Sequence, residues 1–146
     1  MQIKKIMVSF LALVCLCTPF NAVAYAETTD SFVDDGISLA YEIAKSPVST
    51  LTITNKTANC TSKVSSDSAA NITVTQTLQK QNGSSSWDNV DGAEWTKTIE
   101  YNSIRLSSSK NGLDSGTYRV KSVFKLTDNN GKTETVTAYS SEKKVS

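Results

Sequence analysis

The sequence predicts an all-β chain folded as an antiparallel β-sandwich of about seven to eight short strands. Three observations predict it. Apolar residues recur at every second position in several short runs, and no run sustains the helical period. Turn-forming clusters interrupt these runs about every 8 to 12 residues. Serine and threonine make up close to a third of residues 27–146, and the branched β-carbon of threonine suits a pleated strand.

The chain opens differently. Lys4 and Lys5 precede an apolar run over residues 6–16, and a small-residue region ends Ala24-Tyr25-Ala26. That order of charge, apolar run and small residues is the layout of a cleaved secretory signal. The run is about eleven residues, short of the roughly 20 that a permanent membrane span needs. Residues 1–26 are therefore expected to be a signal peptide. Cleavage near Ala26 would leave a secreted chain without a membrane anchor. Residues 27–36 are polar and aperiodic and read as a leader.

Residues 37–146 read as the sandwich domain. Ile37, Leu39, Tyr41 and Ile43 alternate with polar or small residues, and Ser46-Pro47 is expected to end that strand. Leu51 and Ile53 alternate with threonines; Ala58, Cys60, Ser62 and Val64 alternate more weakly. After a turn at residues 65–68, Ile72 and Val74 lead a strand that reaches Leu78. Asn82-Gly83 and three serines form a hairpin loop. Trp87 and Val90 start a return strand, and Asp91-Gly92 is expected to turn the chain again. Residues 95–106 read as one long strand or two short ones, with Asn102 near the bend. The clearest strand spans 117–126: Tyr118, Val120, Phe124 and Leu126 share one face, and Arg119, Lys121 and Lys125 the other. A turn at residues 128–131 precedes a last strand over 132–139.

Composition excludes several functions. The chain has 15 basic and 14 acidic residues, a formal charge of +1. Removing a signal that carries two lysines and no acid turns this into −1. Such a balance argues against nucleic acid, which demands clustered positive charge, and against polybasic attachment to membranes. The chain has no histidine, and so lacks the commonest general base and metal ligand. Beyond the signal one cysteine remains, Cys60, so an internal disulfide is impossible and burial of a free thiol is expected.

Asp114-Ser115-Gly116-Thr117-Tyr118-Arg119-Val120 resembles the D-x-G-x-Y-x-C segment at the sixth strand of immunoglobulin-like domains. There the tyrosine hydroxyl bonds back to upstream backbone as a tyrosine corner. The resemblance implies an immunoglobulin-like sandwich in which Tyr118, Asp114 and Gly116 are structural. Cys60 and Val120 then take the two positions of the usual disulfide, packed without a bridge. The chain also resembles a group of uncharacterised small secreted proteins of Gram-positive bacteria. That likeness rests on L-Q-K-x-N-G-x-x-x-W-x-x-V over 78–90, G-T-Y-R-V-K over 116–121, and N-G-K-T-E-T-V-T from 130 with Tyr139-Ser140 after it. The group carries no assigned activity, so it implies bacterial origin, export and fold, not mechanism.

No catalytic residue, metal ligand or cofactor is expected. Serines have no histidine partner, and Ser107 to Lys110 fits S-x-x-K only by spacing. Asp88, Asp91 and Glu94 cluster around the Trp87–Trp95 connection; calcium is one reading, and a solvated acidic loop is the preferred one. The candidate binding residues are Trp87, Trp95 and Tyr101, with Tyr139 as an extension, because aromatic rings stack on sugars and anchor protein partners. The Arg119, Lys121, Lys125 stripe reads as a solvated strand face. The expected function is that of a secreted, non-enzymatic, monomeric binding or adhesion domain for a protein or glycan at a cell surface. The alternative is a structural component that self-associates through strand edges.

Overall fold

The computed structural model describes residues 41–146. The expected signal, the leader and the strand positions Ile37 and Leu39 lie outside the described residues. Eight strands form two antiparallel sheets: β1 (Ala44–Thr54), β2 (Thr57–Ser66), β3 (Ala69–Asn82), β4 (Ser86–Ile99), β5 (Ser103–Lys110), β6 (Gly116–Asp128), β7 (Thr133–Tyr139) and β8 (Lys143–Val145). One sheet has the order β1-β2-β5. The other has the order β4-β3-β6-β7, with β8 also pairing β6.

Period-two patterning places the interior. On β6, Tyr118, Val120, Ser122, Phe124 and Leu126 are buried while their neighbours are not. On β3, Ile72, Val74, Gln76 and Leu78 face them from the same sheet, and Ala58, Cys60, Ser62 and Val64 of β2 close over them. The interior holds two apolar clusters. The lower one includes Ile43, Val64, Ile72, Val74, Ile104, Phe124, Leu126 and Val136. The upper one, toward the β3–β4 turn, includes Leu51, Ala58, Cys60, Leu78, Leu113, Tyr118 and Val120.

A buried polar relay runs between the two clusters. Gln76 Nε2 donates to Ser62 Oγ at 2.6 Å, and Ser62 and Ser122 hydroxyls meet at 2.6 Å. Ser122 donates to Ser49 Oγ at 2.8 Å, and Ser49 donates to the Val120 carbonyl at 3.3 Å. If Ser62 donates onward, every hydroxyl in the relay gives its one proton to the next acceptor. Four strands from both sheets are joined by it. Gln76 Oε1 is the end of the relay and has no partner among the described residues.

Threonine content is explained on the outer face of the larger sheet. Thr73 and Thr98 hydroxyls meet at 2.9 Å, Thr75 and Thr96 at 3.2 Å, and Thr127 and Thr133 at 3.2 Å. Each pair spans two neighbouring strands, which is the cross-strand contact that stabilises a sheet.

Several sequence expectations are corrected. Ser46-Pro47 does not end a strand. It forms a bulge inside β1, at a register shift between Lys45 and Val48, where proline's missing N–H costs no ladder bond. Residues 41–43, expected within the first strand, lie outside β1. Their backbone is instead captured by the Glu134 carboxylate, which accepts from the N–H groups of Glu42, Ile43 and Ala44 at 3.0, 2.9 and 2.7 Å. Asp91-Gly92 is likewise a bulge and not a turn: β4 continues through it, with Gly92 at φ +63°. Of the two readings of residues 95–106, two strands with a bend near Asn102 is the one observed: they divide between β4 and β5, and these lie in different sheets. The β1–β2 hairpin turns on Asn55-Lys56, both at positive φ (50° and 58°), without a glycine. β8 has too few residues to show a period, and it exists through its pairing with Gly116, Thr117 and Tyr118.

Candidate functional site

The expected structural residues meet at the start of β6. Tyr118 is 2% exposed, and its hydroxyl donates to the Asp114 carbonyl, four residues upstream, at 2.8 Å. Gly116 sits at φ +154°, a backbone conformation that other residues adopt only with strain. Cys60 and Val120 belong to the same upper cluster, and Cys60 is a free, buried thiol. Burial pushes that thiol up to about 11, so it stays protonated at neutral pH and is a poor nucleophile.

The three candidate binding aromatics do not converge. Tyr101 is 68% exposed, in the connection at the lower end between β4 and β5. Trp87 lies at the other end of β4. Trp95 pairs with the buried Gln76, so it points to the inner side of the sheet, where it is half-buried against the upper cluster. Trp87 pairs with Gln81 and sits half-buried on the outer face.

Trp87 instead joins residues that are distant in sequence. The Arg119 guanidinium carbon lies 4.2 Å from the centroid of the Trp87 ring and 4.3 Å from that of Tyr139. Arg119 Nε donates to Gln79 Oε1 at 3.0 Å, and Gln79 Nε2 donates to Asn89 Oδ1 at 3.0 Å. Trp87, Arg119 and Tyr139 thus form a ladder across β4, β3, β6 and β7. Each cation–π contact is worth about 0.5–2 kcal/mol and fixes the orientation of its ring. The ladder is invisible to periodicity because strand register alone makes it: Gln79 pairs with Arg119, and Lys121 with Tyr139.

Next to Asp88 and Gln81 the upper end of the sandwich opens into a cleft of about 400 Å³. Gln81, Asn82, Asp88, Asn89, Lys110 and Asp114 contribute polar groups to it, and Val90, Leu113 and Tyr118 contribute apolar wall. Asn82 Nδ2 donates to Asp88 Oδ2 at 2.7 Å, and Lys110 Nζ donates to the Asp91 carbonyl at 2.9 Å. Both partners of Trp87, its neighbour Asp88 in the chain and Gln81 across the ladder, line this cleft.

The acidic cluster around the tryptophans is separated by the fold. Asp88 is held by Asn82, whereas Glu94 accepts from Thr77 Oγ1 at 3.2 Å on the outer face. Among the described residues no group of three or more carboxylates and thiols is arranged to hold a metal ion. No family model matches the chain, and no curated protein matches it.

Proposed function

We propose that this protein is an exported, non-enzymatic sandwich of the immunoglobulin-like kind that binds a cell-surface glycan in the upper cleft, with Trp87 on the strand that borders it. Three features support the class: the partition of strands into β1-β2-β5 and β4-β3-β6-β7, the Tyr118–Asp114 bond, and Cys60 with Val120 in one apolar cluster. The observation that carries the ligand class is the cleft itself. Its amides, carboxylates and the ammonium groups of Lys80 and Lys110 offer both donors and acceptors to hydroxyl groups, and the Trp87 indole, held by Arg119, lies on the outer face of the strand that borders it.

Self-association through strand edges has less support. β4 is bulged at Gly92, and the β4 and β5 edges carry Lys97, Arg105 and Lys110, features that discourage edge pairing.

The test is a titration of the purified protein with soluble wall-derived disaccharides, mannan and mucin oligosaccharides, followed by tryptophan fluorescence and calorimetry. One glycan class should give a saturable change. Trp87→Ala should weaken that binding about 30-fold, the effect of losing an aromatic hot spot of about 2 kcal/mol. Absence of saturation with all of them, or a Trp87→Ala variant that binds like the parent, would overturn the reading.

A further inference from the structure

A second cleft, of about 490 Å³, opens toward the lower end of the three-stranded sheet. Lys63, Lys97 and Arg105 line it together with Ser46, Ser65 and Ser103; Val64 and Ile104 border it, with their side chains buried in the core on the other face of the sheet. Two of the cations are register partners, Lys63 on β2 opposite Arg105 on β5. The third comes from the other sheet: Lys97 of β4 reaches the open edge of β5 and donates to the Arg105 carbonyl at 3.2 Å.

This arrangement is unfavourable on its own terms. Like charges directly opposite each other across a ladder destabilise a sheet, and a third cation adds to the repulsion. The ion pairs among the described residues are Lys45–Asp67 and Lys132–Glu42, so neither neutralises this group. A protein with nearly balanced charge has nevertheless gathered three cations in one cleft.

We propose that this cleft binds an organic phosphate monoester. Three cations are best balanced by a group that carries close to two negative charges at neutral pH, as a phosphate monoester does and a sulfate ester or carboxylate does not. Arginine's fork and two ammonium groups suit phosphate oxygens, and the Ser46 and Ser103 hydroxyls add neutral donors. The volume exceeds what phosphate alone occupies and leaves room for the carbon skeleton that carries it. The site is separate from the upper cleft: β4 and β5 contribute to both, but at opposite ends, and the two have no residue in common.

The test is a titration of the isotope-labelled protein with glycerol phosphate, inorganic phosphate and methyl sulfate at constant ionic strength, read by amide chemical shifts. Glycerol phosphate should shift the amides of residues 63–65 and 103–105 saturably. It should bind more tightly than inorganic phosphate and at least about tenfold more tightly than methyl sulfate. Affinity should rise several-fold as the pH passes upward through about 6, where the second phosphate proton leaves. Arg105→Gln and Lys97→Gln, both at exposed positions, should each weaken binding about tenfold while the remaining spectrum stays dispersed. The proposal is overturned by shifts that do not saturate by about 10 mM, by shifts spread equally over Lys132 and Lys143, or by methyl sulfate binding as well as glycerol phosphate. Equal affinity for inorganic phosphate would overturn the organic part of the assignment.

Discussion

At the scale of single residues, Tyr118 shows how one hydroxyl ties a loop to the core. Its ring fills the upper cluster while its oxygen reaches back to Asp114 and holds the 111–115 connection against β6. Tyr118→Phe keeps the ring and removes the bond. The expected loss is about 1 kcal/mol, seen as a lower urea midpoint with an unchanged slope. This residue was legible from the D-S-G-T-Y pattern because the motif is local. Arg119 was legible only as part of a charged stripe. Its stacking between Trp87 and Tyr139 depends on which strands lie beside β6, and the local sequence does not contain that information.

At the scale of elements, the edge between β1 and β7 is closed by one side chain. Glu134 gathers three consecutive N–H groups from residues 42–44, and Glu42 pairs with Lys132. Desolvation raises the Glu134 carboxyl, but the three backbone donors and the charge of Lys132 outweigh it and hold it below its ordinary value of 4.5. A depressed carboxylate contributes stability that is present above its unfolded value and is lost as the pH falls through its folded value. Glu134→Gln should therefore lower the urea midpoint at pH 7, and the difference from the parent should shrink as the pH falls below 4.5 and through the depressed folded value. A difference that persists unchanged at low pH would show that the carboxylate's charge is not what closes this edge. The strands themselves were mostly legible, since β2, β3 and β6 follow a period of two. The misread boundaries share one cause: Ser46-Pro47 and Asp91-Gly92 are turn-forming pairs, and in this fold the neighbouring strand continues past them, so each becomes a bulge.

At the scale of the whole molecule, the polar relay from Gln76 through Ser62, Ser122 and Ser49 couples the two sheets where apolar contact would otherwise be continuous. Ser62→Ala removes the nearer of the two acceptors of the Gln76 amide in the core and should cost about 1–3 kcal/mol. Replacing Gln76 by leucine and all three serines by alanine should cost less than the sum of the single changes, because no buried group is then left without a partner. Denaturation of the singles and the quadruple variant measures this. The sequence by itself determined the all-β class, most strands, the lone thiol and the absence of histidine, because alternation, composition and count are local properties. Only the tertiary structure decided that Trp87, Trp95 and Tyr101 lie apart, that Trp87 meets Arg119 and Tyr139, and that Lys63, Lys97 and Arg105 share a cleft. Those groupings arise from strand order and register, which join positions dozens of residues apart, and no single strand carries a record of its neighbour.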